Sequence, residues 1–136
     1  MKVDIAVEVN PRISKLVETA TASTTKHRGG GELVATILAE RDLDDLLRDA
    51  VSQRGLFVAH NGDEVVGFAL CRNGVLEAVY VDRRFRRKGI ARTLVNAVVA
   101  SSRETLDAYA LPGDRATKSL YESFGWKARL LTMRAG

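Results

Sequence analysis

Two glycine-containing turns divide the middle of the chain into three short apolar segments, and this pattern restricts the fold more than any other feature. Asn61-Gly62-Asp63 lies between segments 56–60 and 64–71, and Asn73-Gly74 separates the second segment from 75–81. Asn-Gly is the strongest short-range signal for a β-hairpin, because both residues tolerate the positive φ that tight hairpin turns require. The sequence therefore predicts an antiparallel meander of three strands.

Helical patterns lie on both sides of this meander. Asn10-Pro11 is typical of a helix start, and apolar residues follow it at helical spacing. Residues 33–51 predict either one bent helix or two helices, with Asp42 capping the second. A basic loop over 83–88 leads into a helix over 89–101 and then a strand over 105–111. A strand, a helix and a strand in this order predict a right-handed parallel crossover.

The two ends of the chain complete the predicted order of elements. Residues 3–7 predict an edge strand, and the glycine run within 26–31 predicts a mobile loop. A further helix begins at Asp114 and ends near Gly125, and residues 126–133 predict a last strand. The expected fold class is α/β, a mixed and mostly antiparallel sheet flanked by helices, in a single domain over residues 1–136.

Composition excludes several other classes of protein. The 136 residues are 46% hydrophobic and 28% charged, which is typical of a globular domain, and no apolar run has the length of a membrane helix. Asp4 and Glu8 interrupt the N-terminal segment, so we expect a cytoplasmic protein with no membrane partner. A single cysteine, Cys71, beside only two histidines argues against a metal site.

Charge is distributed unevenly along the chain. The first 71 residues carry 8 Lys and Arg against 11 Asp and Glu, a net charge of −3, whereas the remaining residues carry 13 against 6, a net charge of +7. The basic half favours an anionic ligand, and the acidic half favours a cationic one. Solvated surface charge is the alternative explanation for both.

The segment from Val79 to Arg92 is the strongest candidate for a binding site. It predicts the end of a strand, a loop with six cations within 83–92, and a helix that begins at Gly89-Ile90-Ala91. Small residues let a ligand approach the main chain, and the free N–H groups of a first helical turn bind anions. We therefore expect a phosphate or pyrophosphate ligand. Neither G-x-x-x-x-G-K-[ST] nor G-x-G-x-x-G after a strand is present.

Two motifs in this half of the chain resemble a known family. Arg86-x-x-Gly89-x-Ala91 resembles the [QR]-x-x-G-x-[GA] signature of the GNAT superfamily of acyl-CoA-dependent N-acetyltransferases. Leu120-Tyr121-x-x-Phe124-Gly125-Trp126 is similar to the family's LY…GF segment, and the element order over residues 56–134 is the family's order. The resemblance implies a GNAT-type fold, acetyl-CoA as cofactor and direct acetyl transfer to a primary amine. A small amine, a peptide N-terminus and a lysine all remain open as the acceptor.

The resemblance also implies roles for individual residues. Main-chain groups of Val79 and Val81 would bind the acetyl and pantetheine part of the cofactor as an added strand, and the amides of residues 87–92 would surround its pyrophosphate. Tyr121 matches the family's general-acid tyrosine. Asp114 stands where the family often has a cofactor-contacting asparagine, and helix capping is the alternative role. The implied cofactor-binding residues are Val79, Tyr80, Val81, Arg86, Arg87, Lys88, Gly89, Ile90, Ala91, Arg92 and Asp114.

Glu77 is the predicted general base. It precedes Val79 by two residues on the same strand, and therefore lies on the same face unless a bulge intervenes. A carboxylate there would accept a proton from the ammonium group of the acceptor, through a water molecule. The chain after Gly125 has room for one strand where the family usually has two, so we expect either that the last hairpin is missing or that a partner subunit in a homodimer supplies a strand.

Two other functions fit parts of the sequence. A non-catalytic acyl-CoA-binding module, acting as a sensor or a regulator, would use the same cofactor residues without turnover. A basic RNA-binding protein would use the cationic loop, but aromatic residues make up only 6% of the chain, and RNA-binding surfaces rely on them.

Overall fold

The predicted meander forms the centre of a five-stranded sheet in the computed structural model, which describes residues 1–136. The elements in chain order are β1 (Lys2–Ile5), α1 (Pro11–Thr25), α2 (Gly30–Leu38), α3 (Leu43–Ser52), β2 (Leu56–Asn61), β3 (Glu64–Arg72), β4 (Val75–Val81), a 3₁₀ turn (Arg83–Phe85), α4 (Ile90–Ser101), β5 (Asp107–Ala108) and α5 (Arg115–Glu122). No helix combines the length and the apolar character that crossing a membrane requires.

The strands lie side by side in chain order, from β1 at one edge to β5 at the other. The first four strands pair antiparallel, whereas β4 and β5 are parallel with α4 between them in the chain. Asn73 and Gly74 take φ values of 52° and 77°, which is the mirror-image turn that joins twisted antiparallel strands without splaying them. The predicted α/β class, with a mixed and mostly antiparallel sheet, is confirmed.

Helices cover both faces of the sheet. Residues of α1 and α3 pack against one face, around Leu56, Val58, Phe68 and Leu70. On the other face α4 packs against alternate residues of the same strands, and Tyr121 of α5 joins that second cluster. Alternation along each strand supplies both layers, since successive side chains point to opposite faces.

Side-chain caps fix where α1 and α3 begin. Asn10 Oδ1 accepts a hydrogen bond from Ile13 N at 2.9 Å, and Asp42 Oδ1 accepts one from Asp45 N at 2.8 Å. Each cap satisfies an N–H group that has no partner inside its helix. The cap at Asp42 makes α3 a separate helix, so the predicted region 33–51 forms two helices and not one bent helix.

The predicted last strand over 126–133 is wrong. Residues 126–136 form neither helix nor strand, and Leu130 and Met133 are 90% and 80% exposed. An apolar run becomes a strand only where a neighbouring strand offers free N–H and C=O groups, and β5, at the sheet edge, has only two residues. The strand predicted over residues 105–111 is shortened to the two residues Asp107 and Ala108. A strand shared within a homodimer stays a prediction.

The glycine run is more ordered than predicted. Only residues 26–29 form the connection, and Gly30 is the buried first residue of α2. A Cβ atom at Gly30 would lie 1.9 Å from the carbonyl oxygen of Thr24, whereas one at Gly31 would contact nothing within 4 Å. Gly30 is therefore required by the close approach of α1 and α2.

We expect Gly30→Ala to lower the free energy of unfolding by about 1–3 kcal/mol, because the added methyl group displaces the main chain at Thr24. Gly31→Ala is the matched control in the same helical turn, and it should be neutral or stabilise by up to about 1 kcal/mol. Urea unfolding of the two variants and the wild type measures both effects. Equal stability of the two variants would contradict the close packing at Gly30.

Candidate active site

The sheet opens beside β4. β4 pairs with β3 along its length, but it pairs with β5 only at Val75 and Leu76. The last hydrogen bond across this junction runs from Tyr109 N to Leu76 O at 3.1 Å. Beyond that point β4 and β5 diverge, and the carboxyl half of β4 has no strand on the side away from β3.

The direction of the free main-chain groups follows from the ladder with β3. Asp82 N donates to Val66 O at 2.8 Å, and antiparallel pairs alternate between bonded and non-bonded positions. Tyr80 and Ala78 therefore pair with β3, whereas Val79 and Val81 direct their N–H and C=O groups into the opening. The main-chain groups of Val79 and Val81 are thus placed where an added strand needs them, and those of Tyr80 are not.

The turn before α4 presents a row of free N–H groups to the same opening. The main-chain N–H groups of residues 87–92 have no hydrogen-bond partner within the chain, and the N-cap residue Gly89 has no capping side chain. Arg87 and Gly89 have φ values of 63° and 78°, which turns the chain sharply before the helix begins. Such consecutive N–H groups at the positive end of a helix dipole bind anions.

Most cations around this turn are not neutralised by carboxylates. Arg84 is the exception, since it forms ion pairs with Glu64 and Asp82. A hydrogen bond from the main-chain N–H of Arg84 is the largest cause of the lowered pKa of Asp82. Arg86 Nε donates to Val81 O at 3.2 Å, and the Arg86 guanidinium lies 5.4 Å from the centre of the Tyr80 ring. The Arg86 side chain therefore supports β4, and Arg87 stays without an ion-pair partner.

Tyr121 places a hydroxyl group inside the protein with nothing to bond to. Its side chain is 6% exposed, its ring stacks on Trp126 with centroids 5.3 Å apart, and its Oη is buried without a hydrogen-bond partner. Burial, with a smaller effect from the charge of Asp114, raises the pKa of Tyr121 far above its ordinary value of 10.0. Tyr121 therefore keeps its proton well beyond the pH at which an exposed tyrosine ionises.

Asp114 serves as a helix cap. Its carboxylate accepts from the N–H of Thr117 at 3.2 Å and from the hydroxyl of Thr117 at 2.7 Å, at the start of α5. This is the alternative role considered from the sequence. A direct contact of Asp114 with a cofactor stays a prediction.

Glu77 lies on the opposite face from the one expected. Leu70 pairs with Ala78 and Cys71 with Leu76, so Glu77 has no partner on β3 and forms a bulge. The bulge turns Glu77 towards α2 and α3, whereas the side chain of Val79 packs on the α4 side. The expectation that Glu77 and Val79 share a face is therefore wrong. Its role as the base stays a prediction.

Arg72 is the site residue that the sequence analysis missed. It contacts both oxygens of Glu77, at 2.5 and 3.1 Å, and donates to Ile37 O at 2.9 Å. The side chains of Arg72 and Glu77 are only 9% and 10% exposed. No local pattern signals this pair, because it depends on the bulge and on the position of α2.

These elements surround one cavity of about 710 Å³. Its lining includes residues of α1, α2 and α3 on one side of the sheet and residues of α4 and α5 on the other. The opening between β4 and β5 connects the two parts. The free main chain of β4, the anion-binding turn and the ring of Tyr121 all face this cavity.

A protein-family model described as an acetyltransferase (GNAT) domain matches residues 52–128. The chain belongs to the GNAT acetyltransferase family. This confirms the resemblance seen in the motifs and the expected enzyme class, an acetyltransferase. No curated protein matches this chain.

Solved structures share the fold of this GNAT chain at low sequence identity. The paiA N-acetyltransferase of Thermoplasma acidophilum, in complex with coenzyme A, has 16% identity and a TM-score of 0.68 over 95% of this chain and 92% of its own. AAC(6')-Iy, in complex with the bisubstrate analogue CoA-S-monomethyl-acetylneamine, has 19% identity and a TM-score of 0.54 over 100% and 99%. YjaB of Escherichia coli has 25% identity and a TM-score of 0.56 over 90% and 80%.

The family membership, together with coenzyme A in two of these complexes, confirms acetyl-CoA as the expected cofactor. Two observations on this GNAT chain fit such a group. The free N–H groups of residues 87–92 suit a pyrophosphate, and the unpartnered hydroxyl of Tyr121 suits an acceptor atom that only a bound molecule supplies.

Tyr121 predicts a specific loss of stability at alkaline pH. The unfolded chain releases the tyrosine proton near pH 10, whereas the folded chain retains it, so folding loses stability as the pH rises through that value. We compare the free energies of unfolding of the Tyr121→Phe variant and the wild type. From pH 9 to pH 11, the difference between them should shift by about 1.4 kcal/mol in favour of the variant. Urea unfolding at both pH values measures this difference, and a parallel pH dependence of the two proteins would refute the burial of the hydroxyl.

Proposed function

We propose that this chain is an acetyl-CoA-dependent N-acetyltransferase that transfers the acetyl group directly to a primary amine. The observation that carries the proposal is that Tyr121, whose buried hydroxyl has no hydrogen-bond partner, lines the same cavity as the free edge of β4. Tyr121, which carries the hydroxyl, and the turn with its row of unpaired main-chain N–H groups both line this cavity. A non-catalytic binding module needs only the second of these.

Cofactor binding would use the main chain more than side chains. The groups of Val79 and Val81 that point into the opening would extend the sheet along the pantetheine arm, and the N–H groups of residues 87–92 would donate to the pyrophosphate. Arg87, Lys88 and Arg92 add positive charge around that turn. When bound, acetyl-CoA supplies a thioester carbonyl as the electrophile and a thiolate as the leaving group.

Two side chains would move protons during transfer. Tyr121 holds a proton at Oη and would donate it to the departing thiolate as the carbon–sulfur bond breaks. Amines resembling lysine are mostly protonated near neutral pH, so a base must remove a proton before the nitrogen can attack. Glu77 would accept that proton through a water molecule. Support for this role comes from its place among the cavity-lining residues, where it is the one carboxylate on the side of α1 and α2.

Binding of the cofactor has a direct test. Acetyl-CoA at 100 times its dissociation constant should stabilise the protein by about 2.7 kcal/mol, a rise of several degrees in Tm, and ATP should give a much smaller shift. Ala91→Asp places a carboxylate among the free N–H groups and should abolish the shift without harming the helix. Asn96→Asp, at an exposed position of the same helix, is the matched control. Equal shifts with acetyl-CoA and ATP would contradict the proposed site.

Catalysis has a separate test in the turnover of two variants. Tyr121→Phe should lower kcat about 10²-fold while acetyl-CoA still raises Tm as in the wild type. Glu77→Gln keeps an oxygen for Arg72 but removes the proposed proton acceptor, so it should lower kcat while acetyl-CoA still raises Tm as in the wild type. Unfolding of each variant is measured in parallel, so that a loss of folding is recognised. Turnover that does not depend on Tyr121, with cofactor binding intact, would favour the non-catalytic module.

A further inference from the structure

Helix α2 has an apolar face that the rest of the protein does not bury. Leu33, Val34, Ile37 and Leu38 lie on one side of the helix, all are only partly buried, and all line the cavity. Gly30 is the only buried residue of α2, and the helix packs chiefly on α1. Apolar side chains that face a cavity gain free energy when an apolar ligand covers them.

The walls opposite α2 are mostly apolar, although Ser23 of α1, which carries a hydroxyl, also lines the cavity. Val17 and Ala20 of α1 and Phe68 and Leu70 of β3 line this part of the cavity, and Tyr80 of β4 closes it. The hydroxyl groups of Thr21 and Thr24 are used within α1, since each donates to the carbonyl oxygen four residues earlier. We call this part of the cavity, bounded by α1, α2, β3 and β4, the acceptor chamber.

The acceptor chamber contains no free negative charge. Its one carboxylate, Glu77, is held through both oxygens by Arg72. On the far side of the opening, the carboxylate of Asp114 is used as the cap of α5. The other ionisable groups on this side are those of His27, Tyr80 and Arg86, and none of them is a carboxylate.

The acidic residues that suggested a cationic acceptor do not reach the chamber. Asp42 caps α3, and Asp49 lies within 3.8 Å of both Arg41 and Arg72. Asp44 and Asp45 are exposed on α3, and none of the four lines the cavity. A second positive charge on an acceptor would therefore be desolvated without a partner, which is costly.

We infer that the acceptor is a monoamine with an apolar body, aliphatic or aromatic, and that polyamines and aminoglycosides are poor acceptors. This inference rests on the proposed function and specifies its substrate class. The single ammonium group would lie near Glu77 and the opening of the sheet. The apolar body would lie against α2 and complete the packing that the protein leaves unfinished on that helix.

A series of unbranched primary amines tests the inference with acetyl-CoA present. From butylamine to octylamine, kcat/KM should rise about fourfold for each methylene group that the chamber buries, until the chamber is full. At equal chain length 1,6-diaminohexane should be at least tenfold poorer than hexylamine. A flat or falling series, or a better rate with the diamine, would overturn the inference.

Two variants of α2 test whether this helix forms the chamber wall that contacts the acceptor. Val34→Asp puts a carboxylate on the chamber wall and should abolish the dependence on chain length and improve the diamine relative to hexylamine. Thr36→Asp introduces the same charge at an exposed position of the same helix and should behave as the wild type. Identical behaviour of the two variants would overturn the assignment of the chamber to α2.

A binding measurement separates this inference from the proposed function. The rise in Tm with octylamine, hexylamine and 1,6-diaminohexane is measured without acetyl-CoA, and it should follow the order octylamine, hexylamine, diamine. If acetyl-CoA stabilises the protein but the diamine binds better than hexylamine, the inference fails and the proposed function stands. If acetyl-CoA does not bind while the amines follow the expected order, the proposed function fails and the chamber assignment stands.

Discussion

Two residue pairs between β4 and β5 hold the site together. Val75 pairs with Asp107 and Leu76 with Ala108, and no further pair forms along these parallel strands. Leu76 is completely buried in the cluster beneath α4, which fixes the end of the sheet where the strands meet. Because the strands are joined at one end only, the remaining main chain of β4 has polar groups that the sheet cannot satisfy. The cavity is a consequence of this unpaired edge.

The anion-binding turn depends on the same strand. β4 ends at Val81, the 3₁₀ turn is capped by Asp82, and the chain passes through two left-handed residues, Arg87 and Gly89, into α4. Arg87 is not glycine, so its positive φ costs about 1 kcal/mol or more, and such strain is common where a site requires a particular main-chain shape. Arg86 bonds back to Val81 O and so fixes the turn to the strand it follows. The extended arm and the pyrophosphate of one ligand would thus meet two adjoining parts of one rigid segment.

Local chemistry explains which parts of this arrangement the sequence predicts. The turn at Asn73-Gly74 and the helix caps at Asn10, Asp42 and Asp114 each act within a few residues, and each lies where the sequence places it. The family motifs locate Tyr121 and the turn before α4 for the same reason. The bulge at Glu77 depends instead on register with another strand, and a strand over 126–133 depends on an available neighbour. Both expectations failed because a local pattern carries no information about the partner.

Arg72 connects β4 to the helices α2 and α3. Its guanidinium group bonds to Glu77 on β4, to the carbonyl oxygen of Ile37 on α2, and lies 3.8 Å from Asp49 on α3. Removing one partner of a buried ion pair leaves an uncompensated charge, so α2 and β4 cannot separate freely. The helix that supplies the apolar wall is therefore fixed to the strand whose free edge lines the cavity. The same contact holds the carboxylate of Glu77 in the wall of the acceptor chamber, where the proposed reaction would need a neutral amine nitrogen to form.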